Sequence, residues 1–589
     1  MRALGVFLAL PLAVVLISAS RTHWNPTGDL AHTELMLRAI PRHPPLVGVA
    51  ARVGTAQDPG TAPGPSMAYL LAPLYFLGGR TSLALLVSYN ALHFAAMIGA
   101  VVIAFRTAGA RAATLMAFLL AMMTRALMPN FFLEPWNVWI PVFAFLVMLL
   151  LVWRVLEGHR WALPWAAAVG MHAAQTHISY VPLVGSTLVA VTLASLWQAR
   201  QATPNGLRVA RAPVATAIGV SAVALIPPIY EQLTQHRGNL ARLLHHFGSP
   251  SEPVIGLRQG LKGFAGEFNL FGPWILGPGH IPAQRPNLVG FLLMIMLVCG
   301  GFVVAWRRRD MLVLHLYAVV GWTIAVGIFA VSRIFGGYFD YVIRWIWPLN
   351  ALSVFAALLA LSRAPIAARL PTVRCVGAIV AIALLGTAAL SVTAAQAALG
   401  AQPVYIADSR LVQGLADQLD DKITPTDHYL LRWHDPTALG AGAYGLVLEM
   451  ERRGDSLGVD ETAWPGAQRF RVLRENQAAG VLWFVTGQVS IDRFAQRSDA
   501  RLLAEFDPRN AAQRAESDEL RRKIEQRLTD TGRSDLIVWL DVQYGIAHLI
   551  FAENLPAGIG DDISRYNYLR APGAVFLVPP FAPPYDPGV

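Results

Sequence analysis

Residues 1–40 read MRALGVFLALPLAVVLISASRTHWNPTGDLAHTELMLRAI. Arg2 precedes an apolar run from Ala3 to Ser18, and the polar segment behind it carries Asp29, His32, Glu34 and Arg38. The small residues Ser18, Ala19 and Ser20 would suit a cleaved leader, but further apolar runs follow, and the topology they define closes when this run is kept as a first span. In the polar segment Leu30, Leu35, Met36 and Leu37 approach helical spacing behind Asp29. That pattern predicts an amphipathic helix lying in the membrane interface, its N-terminal carboxylate facing the aqueous mouth. Capping the helix is the plainer role for Asp29, and it is compatible with a chemical one.

Ten more apolar runs extend the pattern, at 82–105, 112–126, 136–153, 162–176, 178–197, 213–227, 288–306, 311–332, 342–361 and 375–395. With 55% hydrophobic and 14% charged residues and a mean hydropathy of +0.45, the chain is too apolar for a water-soluble protein. The expected fold is a polytopic α-helical membrane protein of about 11 spans, residues 1–398, followed by an extracytoplasmic α/β domain, residues 399–589. A cytoplasmic amino terminus puts Arg106, Arg154, Arg160, Arg200, Arg208, Arg211, Arg307–Arg309, Arg363 and Arg369 inside, opposed there by Glu157 and Asp310 alone. The long loops 20–81 and 229–286, and the C-terminal domain, then face outward from the plasma membrane. The net charge of +10 is thus explained by topology, and no basic stripe with stacking aromatics argues for nucleic acid. Cys299 and Cys375 fall in or beside apolar runs, which excludes a disulfide framework or a cysteine metal site.

In the C-terminal domain, strands are expected at 427–433, 468–473, 481–486, 536–540 and 546–551, and helices at 445–453 and 511–528. No catalytic motif stands out there. Residues 579–587 form a proline-rich tail with an extended expectation. No internal repeat divides the membrane region as transporter inverted repeats would.

Chemistry-bearing residues gather at the outer ends of the spans. Asn130–Trp139 joins Glu134 and Asn137 to aromatic residues; the tryptophans alone read as interface anchors, but a carboxylate in that setting needs a cation, a sugar or a metal. Met171–Tyr180 brings together Gln175, His177 and Tyr180, with His172 packed inside the span and the two histidines five apart, unlike a two-His metal site. Gly336–Trp345 offers Tyr341 and Arg344 three residues apart, a spacing suited to phosphate, with Asp340 as the simpler partner for the arginine. In the long loop, His245 and His246 beside Arg242 read as a solvated face, and the Gly/Pro-rich residues 271–286 read as a lid. Asn90 and His315 are expected as isolated mid-span polar groups.

The first outer loop also contains His43-Pro44-Pro45-Leu46 and Pro63-Gly64-Pro65-Ser66-Met67-Ala68-Tyr69. One span, a long outer loop opening on a carboxylate-headed helix, and a Pro-rich approach to the second span resemble the C-type glycosyltransferase superfold. Its members are integral-membrane enzymes that use polyprenyl-phosphate sugars, among them protein O-mannosyltransferases, lipid A aminoarabinose transferases and actinobacterial arabinofuranosyltransferases. The His-Pro-Pro-Leu run sits earlier here than in those relatives, and the resemblance extends to about residue 350.

The resemblance implies inverting transfer of a sugar from a polyprenyl-phosphate donor to an extracytoplasmic glycan, lipid or protein. Asp29 would be the catalytic base. Tyr341 and Arg344 would hold phosphate, while Glu134, Asn137, Gln175, His177 and Tyr180 line the sugar site. Glu34, His43 and Tyr69 of the first loop are counted with the substrate-binding residues. The chemistry agrees: the acceptor hydroxyl loses a proton as the anomeric carbon becomes oxocarbenium-like, and the departing phosphate calls for cationic donors. A divalent cation, magnesium or manganese, fits this scheme without being required, and no resident metal site is expected. The competing readings are a transporter or flippase of a lipid-linked envelope precursor and a noncatalytic envelope assembly protein. A transporter would place its polar groups near the midplane rather than at the outer mouth.

Overall fold

The computed structural model describes residues 2–55, 57–202, 205–250, 252–277, 287–336, 339–363, 372–424, 427–437, 441–550, 552, 555, 556 and 558–582. Among them, seven helices are long and apolar enough to cross a membrane: Arg2–Ala19, Ser82–Leu127, Ile178–Ala202, Gly206–Thr234, Leu288–Arg307, Met311–Ser332 and Val380–Ala398. Ser66–Leu77, Pro141–Leu156 and Ile346–Ser362 are shorter apolar helices.

Ser82–Leu127 would be about 70 Å long as a straight rod, more than twice the thickness of a hydrocarbon core. It is instead a hairpin. Gly109 has φ +84, which a side chain would resist, and Thr124 comes back to within 3.6 Å of Met97 Sδ. The runs expected at 82–105 and 112–126 are its two arms. Pro141–Leu156 is apolar all round because protein encloses it: 14 of its 16 residues are buried. Asn90 and His315 are not isolated. Asn90 Nδ2 donates to the Leu86 and Phe132 carbonyls, and His315 Nδ1 lies 2.8 Å from Glu157 Oε1.

The expected interfacial helix is present as Gly28–Ala39, but it does not lie half in water. Leu30, Met36 and Leu37 pack into the core of the membrane bundle, whereas Ala31 and Leu35 pack into the core of the C-terminal region. Apolar residues on two faces were a cue for burial on both. Thr27, not Asp29, occupies the N-cap position, and Asp29 stands in the first turn. A short antiparallel hairpin, Ala50–Gly54 with Pro59–Thr61, follows in the same loop.

The C-terminal region is built on a five-stranded mixed sheet in the order Leu457–Val459, Tyr429–His434, Gly480–Thr486, Gly573–Val578, Arg501–Phe506. The first three strands are parallel and the last two join antiparallel. Three expected strands are replaced. Residues 468–473 form the 3-10 turn Arg469–Arg471 with one isolated bridge, 536–540 lie in the 3-10 helix Ser534–Leu540, and 546–551 overlap the helix Gly545–Ile550. Leu536, Leu540, Ile546 and Leu549 pack with Ile524 and Leu528 of the helix Ala511–Asp530. Short apolar runs do not by themselves distinguish strand from helix, and here contact with a neighbouring helix decides. In the expected lid, Pro273–Leu276 is a helical turn with Trp274 buried, and 278–286 lie outside the described residues, as does 583–587 of the tail.

Ion pairs fasten this region to the loop between the first two membrane helices. Arg452 Nη2 meets Glu34 Oε1 at 2.6 Å, Arg38 Nε meets Glu451 Oε1 at 2.9 Å, and Tyr75 donates its hydroxyl to Glu34 at 2.9 Å. Trp24 Nε1 donates to the Val404 carbonyl at 3.1 Å. The start of the C-terminal region is thereby held against the helix that carries Asp29.

Candidate active site

Asp29 is raised to the surface by the first turn of Gly28–Ala39, with its side chain 53% exposed. Trp136 Nε1 donates to Oδ2 at 2.8 Å, and His32 Nδ1 lies 3.5 Å from Oδ1. Burial holds the His32 imidazole below its ordinary pKa against the pull of Asp29, so at neutral pH the carboxylate has a neutral ring beside it.

Three residues further along the chain, Trp139 repeats the arrangement and donates Nε1 to Glu134 Oε2 at 2.8 Å. The Trp136 and Trp139 rings are 5.7 Å apart, so two indoles stand side by side, each holding one carboxylate. Burial pushes the Glu134 carboxyl up to about 7; the Trp139 hydrogen bond opposes the rise, Asp29 adds to it, and Tyr405 and Arg344 oppose it. Glu134 therefore changes charge near neutrality. If its ionised form supports turnover, activity falls as pH drops through about 7, and Glu134→Gln is expected to lose that acid limb; a pH–rate profile for the two proteins checks this.

Asp29 and Trp136 form part of the wall of a cavity of about 530 Å³. The volume lies in the usual range of ligand pockets. Its apolar lining includes Phe329, Val331 and Ile334 at the end of Met311–Ser332, together with Ile178 and Pro182. Its polar lining includes Asn137, His177, Ser179, Arg52 and Arg333. Arg52 Nη2 is 3.1 Å from Glu252 Oε2, and its guanidinium lies over Phe339; Arg333 is exposed. The cavity thus combines apolar walls with two arginines and a carboxylate.

The sequence-derived candidates divide into three groups. Asp29, Asn137, His177 and Tyr341 line this cavity. The Tyr341 ring is tilted by 53° against that of Trp136 with centroids 5.2 Å apart, His177 Nδ1 is 2.8 Å from Ser179 Oγ, and Asn137 Nδ2 donates to the Thr176 carbonyl. Glu134, Arg344 and Tyr180 form a layer behind it. Arg344 was expected as a phosphate ligand in the open site, but it is 3% exposed, its guanidinium 4.2 Å from the Trp347 ring and 5.2 Å from that of Trp139. The chain before it is a 3-10 turn, Asp340–Ile343, so the expected α-helical face shared with Tyr341 does not form. Tyr180 is buried against Phe145.

Gln175, Glu34, His43 and Tyr69 lie outside the cavity wall. Gln175 donates to the Ala224 carbonyl, Glu34 is the buried partner of Arg452, His43 stacks on Phe470 at 4.1 Å, and Tyr69 donates to the Pro45 carbonyl. Among the described residues, no three His, Cys, Asp or Glu side chains gather as a metal set.

Three contributors escaped the sequence reading. Arg333 ends an apolar run at the face expected to be external, where the inside bias of arginine makes one unusual, and that was an available signal. Arg52 had none. Tyr405, just past the last span, reads as an interface anchor, yet its φ of +56 turns it back so that it faces Glu134, with Arg570 over its ring at 5.9 Å and Arg570 Nε bonded to Asp408 at 2.9 Å. The C-terminal region in this way closes one side of the carboxylate pair.

No protein-family model and no curated protein matches the chain. Among solved structures, ArnT from Cupriavidus metallidurans bound to undecaprenyl phosphate superposes with a TM-score of 0.50 at 16% identity, covering 86% of this chain and 96% of that one. The oligosaccharyltransferase AglB from Archaeoglobus fulgidus, in complex with an inhibitory peptide and a dolichol-phosphate, gives 0.43 at 12% identity over 98% of this chain and 88% of that one. The chain shares the fold of ArnT, the C-type glycosyltransferase superfold.

Proposed function

From a chain with this fold, we propose a membrane glycosyltransferase that takes a sugar from a polyprenyl-phosphate donor and passes it to an acceptor at the outer face. The observation that carries the reading is the two-natured cavity of about 530 Å³, whose wall apolar residues share with Arg333, Arg52 and Asp29. ArnT, whose fold the chain shares, holds undecaprenyl phosphate in its structure. In this reading Arg333 and Arg52 receive the phosphate at the rim, a correction to the assignment of Arg344. Arg344 instead steadies Trp139 and the charge on Glu134.

The acceptor hydroxyl attacks the anomeric carbon as its bond to the phosphate oxygen breaks, and the electron pair leaves on the phosphate. Asp29 takes the hydroxyl proton. Attack from the side opposite the phosphate inverts the anomeric centre. Asn137 and His177 face the sugar, with Tyr341 against its ring, and the C-terminal region selects the acceptor. The amino terminus is cytoplasmic and the cavity extracytoplasmic in this scheme. A transporter reading is less well supported, because the polar groups collect at one mouth instead of the midplane.

Mass spectrometry of lipids that copurify with the full chain tests the donor class. A retained prenyl-phosphate sugar is the expected result. Purified chain that neither retains nor binds prenyl phosphates, in a preparation that stays folded, overturns the reading.

A further inference from the structure

We propose that the end of the helix bundle opposite the carboxylates holds a lipid phosphate headgroup. A second cavity, of about 480 Å³, is lined there by Arg106, Arg154, Arg160 and His159, and its described lining residues include no Asp or Glu. Arg154 stands in the last turn of Pro141–Leu156, which rises about 24 Å from the side where Trp136 and Trp139 hold their carboxylates. The two cavities therefore belong to opposite membrane faces.

Arginines at helix ends ordinarily need no special explanation, since they fan outward and snorkel to water. These instead converge on one hollow from three directions: the bend of Ser82–Leu127, the end of Pro141–Leu156 and the turn leading into Ala162–Thr176. Arg154 Nη1 donates to the neutral Thr107 hydroxyl at 3.3 Å, and the neighbouring carboxylate of Glu157 is taken up by His315. Arg160 Nε is buried with no hydrogen-bond partner among the described residues. Arg106 is exposed and Arg154 and Arg160 half-buried, and like charges gathered at one hollow repel one another, so an anion in their midst relieves that repulsion. The N-terminus of Ala162–Thr176 adds its positive dipole end at the same place.

The rest of the wall identifies the anion's other half. Ile103, Leu151, Val209 and Pro213 give an apolar side, while Trp161 and Trp165 flank the opening, 62% and 68% exposed. Tryptophans so placed mark headgroup depth. Guanidinium forks match phosphate oxygens, and the apolar wall accommodates the chain attached to them. A free phosphate would use the first and leave the second uncovered.

Native mass spectrometry of the full chain in detergent, titrated with dioleoyl phosphatidylglycerol, tests the site. The wild type is expected to retain one such lipid in preference to dioleoyl phosphatidylcholine. The triple variant R106Q/R154Q/R160Q is expected to bind it about tenfold more weakly, whereas R307Q/R308Q/R309Q, which removes three other helix-end arginines, binds as wild type. Equal weakening in both variants shows diffuse attraction and overturns the proposal, as does unchanged binding in the first. If the triple variant fails to fold, R160Q alone, in the turn, is expected to weaken binding about threefold, and unchanged binding by folded R160Q overturns the proposal. Inorganic phosphate is expected not to displace the lipid; displacement at equal concentration assigns the cavity to a free anion and overturns the lipid assignment. None of these readings depends on sugar transfer.

Discussion

The Asp29→Asn variant is expected to fold and bind the donor as the wild type does while its transfer rate falls about a thousandfold. The asparagine carbonyl still accepts from Trp136 Nε1, so the indole pair keeps its place. Thr27 occupies the N-cap position, so the helix start is undisturbed. What the amide cannot do is accept the acceptor's proton. The loss therefore falls on kcat, with KM for the donor little changed. Steady-state kinetics with a labelled prenyl-phosphate sugar reads the split. A full rate in the variant removes Asp29 from the mechanism, and a raised KM with kcat intact makes it a binding residue instead.

The second large effect is structural. Arg452→Ala is expected to destabilise the docking of the C-terminal region by about 3–5 kcal/mol, because it strands the Glu34 carboxylate, which is fully buried. Hydrogen exchange should then rise along Gly28–Ala39 and in the helix Ala441–Arg453, which meet at this pair. The double variant Glu34→Gln, Arg452→Met removes both charges and is expected to recover most of the loss, since an uncharged pair carries no stranded ion. Activity should follow the docking, because the region that Arg452 fastens also brings Tyr405 to Glu134. If Arg452→Ala unfolds no more readily than the wild type, the pair contributes nothing to the junction.

Much of this was legible in the chain because a bilayer imposes a simple rule: apolar runs become helices, and the polar residues between them collect at the two faces. The turn at Gly109 was foreseen as a break between two runs. Asp29 was visible because a carboxylate opens the first polar segment after a span. The C-terminal sheet was read less well. Leu536–Leu540 and Ile546–Ile550 are apolar stretches of a length at which strand and helix look alike, and only packing on Ile524 and Leu528 separates them.

The candidate site shows the same limit. Spacing alone pointed Arg344 at a ligand, but after a 3-10 turn it lies against two indoles, a local geometry that no count of residues contains. Glu34 illustrates the converse. A buried acidic residue in a functional loop reads as chemistry until its partner is known, and Arg452 lies 418 residues away along the chain. Tyr405 was hidden for a related reason, because its route to Glu134 runs through the left-handed conformation of one residue after the last span.

A structure of the Asp29→Asn variant with added undecaprenyl phosphate tests the central claim most directly. The account predicts the phosphate within hydrogen-bonding distance of Arg333, with the first prenyl units along residues 329–334. Prenyl phosphate bound away from the Asp29 cavity, with that cavity closed or filled by side chains, would contradict it.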